Sequence, residues 1–227
     1  MFCLYLQAPF GTFRTFTAGR FRPTAEFITY SAAYGLLLNV AGIEMRYIDE
    51  EEPMTVIKTG LPKFQLALGA CSFPLQHTIY QQLHNYPVGT TGKEYAPKTK
   101  GSKYNIQPVR RAFLSKIKAY ICFRGNNGFE QQVKEGLNGN SPRCYGLPFL
   151  GDNNFLIDRL EPVAQPDKAF WFAPIKPDSG EGLPNHVSRF TVKINRADMS
   201  QTESLLFAPS KEQSDKVPDD AWIEVGY

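Results

Sequence analysis

Polar and apolar residues alternate from the start of the chain. Phe2, Leu4 and Leu6 fall on one side of an extended backbone, and Cys3, Tyr5 and Gln7 on the other, which predicts a strand over residues 2–7. A long loop punctuated by Pro9, Gly11, Gly19 and Pro23 follows, through residue 29. SAAYGLLLNVA (31–41) then takes helical spacing. Ser31 is the candidate N-cap, Leu37, Val40 and Ala41 share a face, and Gly42 ends the segment. Gly35 weakens such a helix, so a closely packed neighbour is expected beside it. Residues 64–73 alternate weakly and predict a second strand. Residues 112–124 alternate best: Ser115, Ile117, Ala119, Ile121 and Phe123 form an apolar face, with Lys116, Lys118, Tyr120, Cys122 and Arg124 opposite. FEQQVKEGL (129–137) is an amphipathic helix through Phe129, Val133 and Leu137, and residues 155–163 return to strand character.

Between the second and third strands lies a polar segment, residues 78–108, rich in Gly, Pro and Lys. It is too long for a turn in a compact domain and reads as a protruding hairpin arm. The order is strand, helix, strand, arm, strand, helix, strand. That is the order of an α+β, ferredoxin-like βαββαβ domain, whose helices cover one face of the sheet and leave the other free. After Pro166 the texture changes. Phe170-Trp171-Phe172, a Pro/Gly loop and an alternating stretch over 186–194 predict a small β-rich addition. The chain therefore divides into residues 1–164, with the arm at about 78–110, and residues 165–227, with FWF buried in the addition and residues 211–220 as a polar loop or tail.

Composition narrows the class. With 227 residues, 42% hydrophobic, and 17 Phe, 11 Tyr and 2 Trp, the chain holds ample material for a core and is not intrinsically disordered. No apolar run approaches the roughly 18 residues of a membrane span. The apolar start lacks the basic residues of an export signal, and the location implied is cytoplasmic. Cys3, Cys71, Cys122 and Cys144 are scattered among apolar neighbours without a CxxC pair, so four reduced, mostly buried thiols are expected and no metal site.

The net charge of +3 conceals a separation. Residues 93–124 hold nine cations (Lys93, Lys98, Lys100, Lys103, Arg110, Arg111, Lys116, Lys118 and Arg124) against Glu94 alone. Arg14, Arg20 and Arg22 form a second basic group, interleaved with Phe10, Phe13, Phe16 and Phe21. Residues 200–227 have six acids against two lysines. Segregated cations beside aromatics suit single-stranded nucleic acid, because cations neutralise phosphates and ring faces stack on bases. Tyr120 between Lys118 and Arg124 gives the strand's polar face the same composition. A metal-independent nuclease would need a base and an acid near the scissile phosphate. His77 and His84, near the arm and close to Tyr80, Tyr86 and Tyr104, are the candidates, without diagnostic spacing. No HExxH, GxSxG, Walker A or GxGxxG pattern occurs.

These residues carry a resemblance. The first strand, then Pro9-Phe10-Gly11-Thr12-Phe13-Arg14, then Gly35-Leu36-Leu37 through Gly42, resembles the opening of the CRISPR-associated Cas-five family. YQQLHNYPVG, the basic arm and RCYGLPFLGDNNF are similar to its type I-B, myxobacterial-like branch. The resemblance covers about residues 1–160 and implies a subunit of the Cascade surveillance complex. Such a subunit has an RNA-recognition-like fold with a thumb hairpin and holds the 5′ handle of the CRISPR RNA. Its implied partners are the CRISPR RNA, the backbone and large subunits and, through the complex, target DNA; a transposition adaptor would be a partner in a transposon-linked system. By carry-over Arg14, Arg20, Arg22 and the free sheet face bind the handle, and the arm is the thumb. One branch cuts precursor RNA with a tyrosine, a lysine and a histidine. Lys116-Ile117-Lys118 stands here in place of that branch's Lys-His pair, so the resemblance implies no catalytic residues and no cofactor. The RNA-binding set expected is Arg14, Arg20, Arg22, Lys98, Lys100, Lys103, Arg110, Arg111, Lys116, Lys118 and Tyr120, with precursor-RNA cleavage as the alternative.

Overall fold

The computed structural model describes residues 1–15, 21–47, 56–87, 104–142, 146–175 and 185–227, without the side chains of 83–87, 104, 105 and 107. Arg20, Lys98, Lys100, Lys103 and Cys144 lie outside the described residues, as do the side chain of His84 and the tip of the arm.

Strand β1 (Phe2–Gly11) is the second-from-edge strand of an antiparallel array, β8 (Arg159–Val163), β1, β7 (Tyr104–Arg124), β5 (Phe64–Ser72). Counted along the domain, that is fourth, first, third, second. This is the split βαβ arrangement anticipated from the element order, and the mixed α+β fold is confirmed. Leu4, Leu6, Leu66, Leu68, Ile121 and Phe123 bury themselves beneath α1 (Tyr30–Val40) and α2 (Asn127–Leu137). Phe64 and Phe129 stack across that interface at 4.7 Å. A short pair, β3 (Arg46–Tyr47) with β4 (Val56–Ile57), stands apart.

The helices begin slightly earlier than the periodicity suggests, because the caps precede the apolar spacing. Thr29, not Ser31, caps α1, its Oγ1 accepting from the Ala32 N–H at 3.3 Å; Asn126 caps α2, accepting from the Phe129 N–H at 3.0 Å. Gly35 is not a point of tight packing. A Cβ there would meet only the Met45 sulfur, at an ordinary 3.7 Å. The close approach is instead at Gly136 of α2, where a Cβ would fall 1.7 Å from the Val40 carbonyl oxygen at the end of α1.

The arm is a hairpin. Strand β6 (Leu75–Pro87) runs antiparallel to the outer half of β7, from Leu75 opposite Ser115 to Pro87 opposite Tyr104. At its root β2 (Phe21–Arg22) joins β7 on the other edge, in parallel, beside Arg110 and Arg111.

Residues 165–227 do not sit apart from the sheet. Both β9 (Phe170–Pro174) and β12 (Ile223–Val225) pair with β5, and β11 (Glu203–Pro209) and β10 (Ser188–Lys193) continue outward from β9. Phe172, Phe190 and Phe207 enter the main core. Tyr30 stacks on Phe207 at 4.7 Å and donates its hydroxyl to the Phe172 carbonyl at 3.1 Å. Burial of the FWF segment holds, but the segment divides: Trp171 points to the other side of the sheet, over Gly69, whose missing side chain makes room for the indole.

Two expectations need correction. Cys3 and Cys122 are not free thiols. They are cross-strand partners on β1 and β7 and form a disulfide. The residues lie 119 apart, so only strand register reveals the pair. Cys71 is free, and burial pushes its thiol up to about 11. The second correction concerns the phase of β7. Ile117, Ala119, Ile121 and Phe123 are buried as expected, but on the outer side Ala112 and Leu114 are the core-facing residues. The change falls at Lys116, which has a left-handed φ of 58°. Ser115 is thereby turned out of the main core towards His77.

Candidate nucleic-acid interface

β7 is the spine of the site, and its two halves present different surfaces. On the inner half, the face opposite the helices is largely closed. Tyr120 is 4% exposed, and its hydroxyl donates to an Asp167 carboxylate oxygen at 3.3 Å. Cys122 is buried in the disulfide, under Trp171 and Trp222. Arg124 lies 4.3 Å over the Trp222 ring and donates to Gln65 at 2.7 Å. The Trp171 indole donates to the Ser214 carbonyl at 2.9 Å, which ties the C-terminal segment across this face. The C-terminal addition thus covers much of the surface that a ferredoxin-like sheet leaves free. Of the five residues read as the polar face of β7, only Lys116 and Lys118 are exposed.

An electrically balanced depression opens on this face. Arg159 and Lys168 are matched there by Glu161 and Asp167. Arg159 donates to Glu161 at 2.7 and 2.9 Å and leans over Tyr5, so its charge is already neutralised. Burial raises the Tyr5 and Tyr120 hydroxyls above their ordinary values, and both are proton donors at neutral pH.

Past Lys118 the surface changes character. A cleft of about 690 Å³ opens between the end of β1 and the root of the arm, lined by Phe10, His77, Phe113, Ser115, Lys116 and Lys118. Its aromatic wall is continuous: His77 stacks on Phe113 at 5.3 Å, Phe113 meets Phe10 edge-on at 5.6 Å, and Phe155 closes the group at 6.1 Å. The His77 Nε2 and Ser115 Oγ are 2.7 Å apart, so the imidazole is held in place. Asp158 is the carboxylate at the rim. Phe10 remains substantially exposed, which leaves a ring at the cleft mouth.

The cations divide into two groups. Arg111 is spent on structure: it pairs with Asp152 at 2.5 Å and lies over Phe155 at 5.8 Å. Burial pushes the Asp152 carboxyl up, but the Asn154 backbone N–H and the Arg111 guanidinium outweigh it and hold it below the usual range. Arg14, Arg22, Arg110, Lys116 and Lys118 form no ion pair among the described residues. Arg22 and Arg110 are brought to the arm root by the β2–β7 pairing, and Arg14 by its bridge to Thr24. Lys116 and Lys118 line the aromatic cleft, and Arg14, Arg22 and Arg110 stand unpaired near the arm root; such cations can neutralise phosphates while rings accept bases. Sequence reasoning placed Arg14, Arg22, Arg110, Lys116 and Lys118 in this region. It grouped Phe10 with the arginine-rich loop and Ser115 with the apolar face of β7, and did not single out Phe113, because the meeting of Phe113 and Ser115 with His77 depends on the reversed phase at Lys116.

Among the described residues no group of His, Cys, Asp and Glu is arranged to hold a metal ion, and no helix is long and apolar enough to cross a membrane.

No protein-family model and no curated protein matches the sequence. Solved structures do. The chain is similar to a "CRISPR RNA-guided surveillance complex" chain, with a TM-score of 0.59 and 13% identity over 97% of this chain and 92% of the other. It is also similar to a "Cas protein" crystal structure, with a TM-score of 0.51 and 12% identity over 96% and 97% of the two chains. At these identities the likeness is one of fold. It runs through residues 165–227 as well, beyond the stretch that carries the sequence resemblance.

Proposed function

We propose that this chain is a non-catalytic, RNA-binding subunit of a type I CRISPR effector complex of the Cascade kind, holding the 5′ handle of the CRISPR RNA. The observation that carries the reading is the distribution of unpaired cations. Arg14, Arg22, Arg110, Lys116 and Lys118 collect around the aromatic cleft and arm root, while Arg111, Arg124 and Arg159 are engaged elsewhere. The fold likeness to a surveillance-complex chain supports the same assignment. In this reading Arg20 and the arm residues Lys98, Lys100 and Lys103 extend the surface, the arm lies over the guide, and the backbone and large subunits pack alongside. Tyr120 supports the strand from inside and does not touch RNA.

A purified chain should bind single-stranded handle RNA with strong salt dependence. If about six phosphates are neutralised, log K falls with log salt at a slope of about −4. Lys116→Ala with Lys118→Ala should flatten that slope by about 1.4 and leave the melting temperature nearly unchanged. A slope near zero in the wild-type chain would refute the electrostatic basis of the reading.

A second reading, precursor-RNA cleavage, rests on His77 standing in the cleft with Lys116 and Ser115. Incubation with repeat RNA in the presence of a chelator separates the two. Intact RNA is expected; specific cuts that disappear in His77→Ala would establish the nuclease.

A further inference from the structure

The root of the arm carries a feature that neither the basic residues nor the cleft accounts for. At one register three strands lie side by side: Tyr80 of β6 is opposite Arg110 of β7, and Arg110 is beside Phe21 of β2. Neighbouring positions across a sheet share a face at a spacing of about 5 Å, so the two rings stand roughly 10 Å apart with the guanidinium between them. Tyr80 is 65% exposed and Phe21 45%, and Arg110 is exposed too. Among the described residues, neither ring stacks on another aromatic or lies under a cation, and Arg110 has no carboxylate partner. Ile106, further along the same face of β7, is also exposed.

The two faces of the arm root differ in how their cation is used. The next row along, Ile79, Arg111 and Arg22, lies on the opposite face, where Arg111 packs on Phe155 and pairs with Asp152. Ile79 is exposed on that face, but the cation beside it is already engaged. On the Tyr80 face two exposed rings flank an unpaired cation on three hydrogen-bonded strands.

We propose that Tyr80, Arg110 and Phe21 form a stacking platform for two nucleotides of a single strand. One base lies on each ring, and the phosphate joining the nucleotides sits over Arg110. The ligand class is single-stranded nucleic acid with unpaired, splayed bases, since bases within a duplex offer no free face. This site rests on the RNA-binding reading above and deepens it. It lies on the side of the arm opposite the Phe113 cleft and selects for exposed bases, not for charge.

The test measures affinity of the full chain for a fluorescein-labelled single-stranded RNA, for DNA of the same sequence, and for an abasic RNA of equal length. Phe21→Leu and Tyr80→Leu should each weaken RNA binding roughly tenfold, within the range for loss of one base stack, with the salt slope unchanged. Tyr80→Phe should retain wild-type affinity, because the ring face is kept. Arg110→Gln should flatten the slope by about 0.7. The abasic strand should bind the wild-type chain weakly and show no difference between wild type and the leucine variants. A preference for RNA over DNA assigns the platform to RNA; equal binding assigns it to single strands of either sugar. Unchanged affinity in the Phe21→Leu/Tyr80→Leu double variant, while the wild type binds with a steep slope, overturns the platform and leaves the electrostatic reading standing. Failure of the wild-type chain to bind any of the strands overturns both.

Discussion

The inner and outer halves of β7 are one continuous strand with opposite tasks. The inner half is covered on both faces, by the helices on one side and by Trp171, Trp222 and the disulfide on the other. The outer half runs on past β5, pairs with β6 and β2, and turns a lysine, an arginine and aromatic rings to the surroundings. The contrast teaches that cations on a strand do not by themselves define a binding face. Arg124 and Lys118 share a side in sequence, yet one is stacked on tryptophan and the other stands free. What distinguishes them is whether residues 165–227 reach across.

The comparison can be broken from the inner side first. Trp171→Ala removes the largest fully buried side chain and leaves Gly69 facing a void. It should cost about 3–5 kcal/mol in denaturant unfolding. If it instead exposes the Tyr120 face without much loss of stability, the C-terminal segment is a movable cover. Next in size is the cross-link. Replacing Cys3 and Cys122 together by alanine opens a long loop in the unfolded chain and should cost about 2–4 kcal/mol, with RNA affinity within twofold of wild type. A large loss of affinity would mean that the two halves are coupled. The smallest effect sits at their junction. Lys116→Gly relieves a left-handed conformation that glycine adopts freely, and should stabilise the fold by up to about 1 kcal/mol while weakening RNA binding by one cation. Destabilisation there would show that the phase reversal depends on the side chain and not on the backbone.

Much of this architecture is legible in the residues. The alternation of Leu4 and Leu6, the spacing of Phe129, Val133 and Leu137, and the polar arm between two apolar strands specify a βαββαβ order with a hairpin, because burial of one face imposes its own period. The cation-rich stretch and its position on the arm side of the third strand are legible for the same reason. The candidate site is legible in its charges and only partly in its rings. Phe21 stands among the arginines in sequence, but its alignment with Arg110 and Tyr80 arises from a two-residue parallel pairing that carries no local pattern.

The sequence by itself determined the class of fold, the basic arm and the separation of positive middle from acidic end. Those are properties of local periodicity and composition. The tertiary structure alone decided that Cys3 meets Cys122, that Lys116 reverses which side of β7 is buried, and that Trp171 and Trp222 close half of the open face. Each of these joins residues distant in the chain through strand register or side-chain packing, and a one-dimensional pattern holds no record of such contacts.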